Sequence, residues 1–400
     1  MRTFAYRLMI IMVFTLPWEN VVDLPGVGRV SKVVGLLVAL VWVIAVVKSG
    51  RVREPRAVHV LALFFVLWNA CSLMWTVDGP ATQERVFTYV QLLGLMLVVW
   101  DTVTTLAAVR QALVAYVAGC YVTSAALLIS YAAEGAGAEV HGRVTVGSFH
   151  PNDVGMVLAL GVPIVGYLIA APGVGRWRRL GLVASAAYIP IAGFAILVTG
   201  SRAALGAMVP GGLYLGYQLA RRRPAVAVGS LVALVVLTVL ALPLVPAKVL
   251  SRLEGTEAAV EAGDLNERRE VWGEALRIIH ADPVIGIGGG AFRAAAVGVN
   301  KVGHNFVLAL LAEVGVIGFG LFLAMLVVAL LSVRRMTPLL RGMWLAMFSA
   351  WLFAALLHNW EYRKQTWLII ALVVACGALG REDEGEDLDQ EVRHATRPAR

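Results

Sequence analysis

Long apolar stretches alternate with short polar breaks along the chain. Runs such as 30–47, 151–171, 225–245 and 306–333 are nearly unbroken in apolar residues. Each is long enough to cross a bilayer, which takes roughly 20 residues. They lack the strict alternation of barrel strands, so they are read as helices. The pattern predicts roughly twelve spans, near residues 5–18, 30–48, 57–76, 85–103, 107–131, 151–171, 179–199, 203–220, 225–245, 304–333, 339–358 and 366–380. The first is basic and then apolar, without a small-residue cleavage site, and is expected to be a retained span. One long hydrophilic segment, residues 246–303, lies between spans nine and ten. Residues 381–400 are charged and without apolar periodicity, which predicts a disordered tail. The expected organisation is an all-α polytopic membrane domain over 1–380 that includes the 246–303 loop, followed by the tail 381–400.

Composition agrees with this pattern and adds an orientation. The 400 residues are 59% hydrophobic and 15% charged, against about 25% charged in soluble domains, and mean hydropathy is +0.78. The net charge of +8 would suggest nucleic acid in a soluble protein. Here the cations sit in short loops, where membrane orientation explains them and no nucleic-acid partner is expected. Lys48, Arg51, Arg53 and Arg56 follow span two, Arg176, Arg178 and Arg179 precede span seven, Arg221 to Arg223 follow span eight, and Arg334, Arg335 and Arg341 separate spans ten and eleven. With the N-terminus inside, all of these and the tail fall on the cytoplasmic side, and the 246–303 loop falls outside. Cys71, Cys120 and Cys376 lie inside apolar runs without disulfide or metal spacing, as small core residues do.

Three polar features converge on the expected outer face. In "LVTGSRAALGA" (197–207) two spans meet with almost no loop; Gly200 allows the turn, and Arg202 lies at the boundary. An outer arginine runs against the cytoplasmic bias, although snorkelling would also place one there. In "NERREVWGEALRIIHADPVIGIGGGAF" (266–292), Val271, Trp272, Ala275, Leu276 and Ile279 form an apolar stripe at helical spacing. The stripe predicts an amphipathic helix on the bilayer surface, ended by Pro283. Arg268 and Arg269 occupy its first turn, where the helix dipole disfavours cations unless an anion visits. The glycines Gly286, Gly288, Gly289 and Gly290 read as a tight return toward the membrane, with a backbone anion nest as the alternative. The third feature is "KVGHNFVLALLAEVGVIGF" (301–319). His304 beside apolar surface would stay neutral, as a general base must, or would cap the helix. Glu313 lies nine residues on, about 13 Å along a helix and on the opposite side from His304. An acid at that depth needs another partner.

Lesser candidates share the expected outer side. "HGRVTVGSFHPNDVG" (141–155) offers Arg143, His150, Asn152 and Asp153; "HNWEYRKQTW" (358–367) offers His358, Glu361, Arg363 and Lys364. His141, His150 and Asp153 lack the fixed spacing of a metal site, so no metal and no cofactor is expected.

These stretches, in this order, resemble the O-antigen ligase/polymerase superfamily of bacterial envelope glycan enzymes. "TGSRAALG" (199–206), "RREVWGEAL...DPVIGIGGGAF" (268–292) and "GHNFVLALLAEVGVIG" (303–318) carry the resemblance, supported by 68–94, 142–155 and 358–367. The resemblance implies a glycosyltransferase of the large lipid-carrier class, with GT-C-like architecture and independent of metal and nucleotide. It implies location in the bacterial inner membrane with the active site on the periplasmic face. The implied donor is a glycan on undecaprenyl diphosphate, and the implied acceptor is a glycan or glycolipid such as lipid A core, with membrane lipids around both. The family's essential pattern falls on Arg202, Arg268 and His304, with Arg269 one position off as a further diphosphate-binding candidate. Asn305, Arg143 and Arg363 are candidate substrate-binding residues.

The chemistry fits the residues. Guanidinium groups bind phosphate oxygens bidentately and stabilise charge developing on a diphosphate leaving group. A neutral His304 would take the acceptor proton, and single-step attack would invert the anomeric carbon. Ligase and polymerase share this chemistry. A transporter or flippase would instead place charged residues at the midplane on broken helices, where Glu313 is the candidate.

Overall fold

The computed structural model describes residues 1–24, 26, 28–134, 144–172, 175–245, 268–297 and 305–379. Its elements in chain order are α1 (Arg2–Thr15), β1 (Asp23–Leu24), β2 (Gly28–Arg29), α2 (Val30–Ser49), α3 (Ala57–Cys71), α4 (Gly79–Thr102) and α5 (Leu106–Glu134). There follow α6 (Pro151–Ala170), α7 (Arg176–Val198), α8 (Arg202–Arg222), α9 (Pro224–Ala241), α10 (Arg268–Ala281), α11 (Phe292–Ala295), α12 (Phe306–Ser332), α13 (Pro338–Leu357) and α14 (Lys364–Leu379). The protein is an all-α polytopic membrane protein, apart from the antiparallel pair Asp23↔Arg29 and Leu24↔Gly28, which no sequence pattern announces.

Each of the predicted segments coincides with a helix. Among the described residues, 7 helices are long and apolar enough to cross a membrane: Val30–Ser49, Ala57–Met74, Leu106–Ala133, Pro151–Ala170, Arg178–Val198, Phe306–Arg335 and Pro338–Leu357. Of the remaining five, three fall short for local reasons. α1 and α14 have 14 and 16 residues, and α4 opens on the polar turns "GPATQER" before its apolar stretch. The residues 135–143 and 246–267, and with them Arg143 and most of the long hydrophilic loop, lie outside the described residues, as does the tail.

Two helices form the centre. α6 is buried along nearly its whole length, packed by α5, α7, α8 and α13, and α14 is buried from Gln365 to Gly377 against α4, α5 and α12. Small residues let α6 approach its neighbours closely, as is common between membrane helices. A Cβ on Gly155 would lie 2.5 Å from Ala204 Cβ, and one on Gly211 would lie 2.7 Å from Pro163 Cδ. Pro163 removes a backbone donor inside α6. Just before it, the Tyr188 hydroxyl donates to the Leu158 carbonyl (2.6 Å) and the Tyr116 hydroxyl to the Val157 carbonyl (3.1 Å).

The helix ends sort into two groups. At one end the arginine clusters cover C-terminal carbonyls, which favour cations. Arg178 donates to the Ile169 and Ala171 carbonyls (2.9 and 2.6 Å), Arg222 to the Ala170 carbonyl, and Arg341 to the Arg334 and Met336 carbonyls. Arg53 lies 3.7 Å over the Trp100 ring there. The opposite end carries the half-buried Arg202 and the buried carboxylates Glu19, Asp153 and Glu361. Glu19 is held there by Lys364 (2.5 Å) and Ser31 (2.7 Å).

Candidate active site

α7 and α8 join through Gly200 in the left-handed region (φ 59°), the tight turn expected from the sequence. Ser201 caps α8 by accepting from the Ala204 N–H (3.2 Å). Arg202 is the first residue of α8 and half-buried; among the described residues its side chain makes no hydrogen bond or ion pair. Its neighbour Ser201 donates to Asn152 Oδ1 (2.8 Å), and Asn152 Nδ2 lies 2.7 Å from His358 Nε2. Asp153 accepts from Trp360 Nε1 (3.2 Å) and pairs with Arg363 (2.6 Å). Three separately flagged stretches, around residues 150, 200 and 360, therefore meet at one place. Arg363 is committed to Asp153, a structural partner that sequence spacing did not reveal.

The other half of the site is built by α10, α12 and the glycine segment between them. The helix Arg268–Ala281 forms as the stripe predicts, but the stripe faces protein rather than the bilayer surface. Val271, Ala275 and Ile278 are buried against Ala312 and Leu308 of α12, with Ile287 and Phe292, while Leu276 is 48% exposed. The stripe is rotated because Ile278, not Leu276, completes the buried edge. Arg269 is exposed; of Arg268 the backbone position at the start of α10 is described.

α12 is broken in its middle. Gly315 adopts φ 66°, ψ −172°, and the segment 283–290 inserts there. Ile287 N donates to the Ala312 carbonyl (3.1 Å), Gly288 N to the Glu313 carbonyl (2.8 Å), and Val316 N to the Pro283 carbonyl (3.0 Å). Trp68 Nε1 donates to the Val314 carbonyl (2.9 Å). The backbone groups freed by the break are thus taken up by the chain itself, as burial requires. Gly286, Gly288 and Gly290 all have positive φ. The tight return is borne out, and within it Gly290 N donates to Glu313 Oε2 (2.7 Å). Glu313 also lies 3.9 Å from Arg85, which supplies the partner that such a depth demands.

Connectivity orients this assembly. α10 runs toward the break in α12 and packs along the α12 half that starts at Asn305. The start of α10, Arg268, and the start of α12 therefore lie toward the same end. Asn305 caps α12, its Oδ1 accepting from Val307 N (2.9 Å) and Leu308 N (3.3 Å). His304 lies outside the described residues, one position before this cap. α13 stands between the two halves: Phe306 of α12 lies 5.5 Å from Trp351, and a Cβ on Gly206 of α8 would lie 2.3 Å from Phe353. Among the described residues no three His, Cys, Asp or Glu side chains gather as a metal site would need; His141 lies outside them.

Sequence reasoning missed Arg85 and gave Glu361 no distinct role. Arg85 lies 3.4 Å from Glu361 Oε1 and 3.9 Å over the Tyr362 ring. Glu361 is fully buried in the connection between α13 and α14, and its Oε2 has no hydrogen-bond partner among the described residues. Burial pushes its carboxyl up from 4.5 to about 7, against the pull of Arg85 and with Glu313 adding to the rise. A carboxyl raised by folding contributes stability below its unfolded pKa and loses that contribution as pH rises through the folded value. The melting temperature of the wild type relative to Glu361→Gln should therefore fall between about pH 5 and pH 8. Parallel melting curves across that range would contradict the assignment.

Comparison with the curated proteins gives no match. Residues 186–323 match the family model described as O-antigen ligase, a segment that runs from α7 through α8 and α10 into α12. Arg202, Arg268 and His304 all fall inside this matched segment, which is similar to the O-antigen ligase family.

Proposed function

We propose that the protein is a ligase-type membrane glycosyltransferase. It transfers a glycan from undecaprenyl diphosphate to an acceptor hydroxyl, such as one on lipid A core, at the outer face of the bacterial inner membrane. The observation that carries this reading is the grouping of one family-matched segment, with the start of α10 and the start of α12 toward the same end as Arg202, which has no side-chain partner among the described residues. In this reading twelve helices cross in a GT-C-like arrangement. The arginine-covered end faces the cytoplasm, as positive loop charge favours, and both termini lie there.

Arg202 and Arg268, with Arg269 in support, hold the diphosphate and stabilise its charge as the glycosidic C–O bond breaks. His304 accepts the proton of the acceptor hydroxyl, whose oxygen attacks the anomeric carbon from the opposite side and inverts it. No metal or cofactor enters this scheme. The broken helix α12 brings the transporter reading to mind, since breaks in carriers line substrate sites. Here the peptide groups at the break are bonded to residues 283–288 and Trp68 instead, which favours a structural break.

The test is transfer in proteoliposomes holding the purified chain, a defined undecaprenyl-diphosphate oligosaccharide and a lipid A-core acceptor. A single mass increment on the acceptor is expected. A ladder built on the donor lipid would make the protein a polymerase with the same chemistry, and absence of both products would overturn the reading.

A further inference from the structure

The two halves of the site are carried by different segments. Arg268 and Asn305, the neighbour of His304, belong to the α10–α12 pair, which is closed at its far end by the Gly290–Glu313 bond (2.7 Å). Arg202 belongs to α8, whose cap Ser201 is tied through Asn152 to His358, while Asp153 is tied to Trp360 and Arg363. The segment 358–363 thus holds the α8 half, and the same segment presents Glu361.

Arg85 of α4 stands between the halves. Its guanidinium lies 3.9 Å from Glu313 and 3.4 Å from Glu361, and its face covers Tyr362. Its side chain is only 14% exposed, and the carboxylates it meets are 5% and 0% exposed. Buried charges of this kind interact strongly and fix geometry, because breaking one partner strands the other. The planar fork of arginine can serve two carboxylates in defined directions, which the point charge of lysine does poorly. Asn69, Ser72, Thr76 and Thr82 complete the surroundings. Ser72 Oγ accepts from Gly289 N (3.1 Å), and a Cβ on Gly288 or Gly289 would run into Thr76 or Asn69. The α3–α4 corner therefore grips the glycine segment directly, next to Arg85.

We infer that Arg85 is a positioning residue: it sets the spacing between the α10–α12 pair and the start of α8, the two segments to which Arg268, His304 and Arg202 belong in sequence. This inference rests on the reading of those three residues as the reacting groups. A diphosphate shared by two arginines from different halves needs that spacing held. Misplacement by about 1 Å can lower a rate by about 100-fold.

The experiment uses the full chain with Cys71, Cys120 and Cys376 replaced by serine and spin labels at Ser148→Cys and Glu270→Cys. Ser148 lies just before α6, Glu270 lies in the first turn of α10, and both are exposed. Double electron–electron resonance should give one narrow distance with Arg85 present. Arg85→Ala should broaden it and lower kcat by about 100-fold, with KM for the lipid donor changed much less. Arg85→Lys should broaden the distance less than Arg85→Ala and recover part of kcat. If Arg85→Ala does not fold, Arg85→Lys and Glu361→Gln carry the test, each expected to broaden the distance less and to lower kcat less. A folded Arg85→Ala with unchanged distance and kcat would overturn the inference while leaving the transferase reading intact; so would unchanged Lys and Gln variants where Ala fails. A broadened distance in a protein whose wild type transfers no glycan would support the bridge and sink the transferase reading on which its catalytic meaning rests.

Discussion

Arg202→Ala is expected to lower glycan transfer by about 10²- to 10³-fold, the usual cost of removing one preorganised group that stabilises developing charge. Its melting temperature should match the wild type. The reason is specific to this arginine. Among the described residues it donates no hydrogen bond and meets no carboxylate, although it stands at the capped start of a helix beside the bonded Ser201–Asn152 pair. A guanidinium at such a place with no partner among the described residues is available to a phosphate. Arg202→Lys should recover only a fraction of the rate, because a point charge cannot reproduce bidentate contact. Arg363→Ala should show the reverse pattern. It strands Asp153, which is buried and accepts from Arg363 at 2.6 Å, so stability should fall by about 3–5 kcal/mol, with activity lost in step. Transfer assays and thermal melts on both variants, side by side, separate the two roles. Equal loss of stability in Arg202→Ala would show that Arg202 is structural.

The second large effect falls on Gly315. It sits at φ 66°, and a Cβ there would lie 2.1 Å from the Val284 carbonyl oxygen and 2.6 Å from Ile285 N. Strain of this backbone kind costs about 1–3 kcal/mol, and the clash is with backbone that is itself hydrogen-bonded and cannot swing aside. Gly315→Val should expel residues 283–288 from the break, leaving the Ala312 and Glu313 carbonyls without their donors. The protein should fail to accumulate in the membrane or melt far below the wild type. Gly315→Ala should do the same to a lesser degree. A Gly315→Ala protein with wild-type yield and melting temperature would mean that the break is not as described.

The helices were legible because each rests on a local pattern. Apolar length marks α2, α5, α6, α12 and α13, and Gly200 and Pro283 punctuate the chain where the structure turns. The convergence of residues near 150, 200 and 360 was foreshadowed by their shared side of the expected topology. The partners within that convergence were not, because they depend on contacts far apart in sequence. Arg85 and Glu361 are 276 positions apart, and nothing near either announces the other. The break in α12 was hidden for a related reason. "EVGVIG" reads as an uninterrupted apolar helix, and the feature that opens it is another segment's backbone. Two signals did exist. Glu313 was an acid too deep to stand alone, and the glycines 286–290 needed somewhere to return to; the structure answers each with the other. The stripe on α10 predicts a helix but not its cover: periodicity gives a face, and here protein rather than lipid covers it.

The central claim is that this chain moves a glycan off a lipid diphosphate with His304 as the base. It is tested most directly by following the leaving group. Purified protein would be incubated with a defined undecaprenyl-diphosphate glycan and an acceptor, and free undecaprenyl diphosphate would be quantified by phosphorus NMR beside the glycosylated acceptor. The account predicts one undecaprenyl diphosphate released for each glycan transferred by the wild type, and loss of both signals together in His304→Ala. Wild-type transfer without matching diphosphate release, or an undiminished rate in His304→Ala, would contradict it.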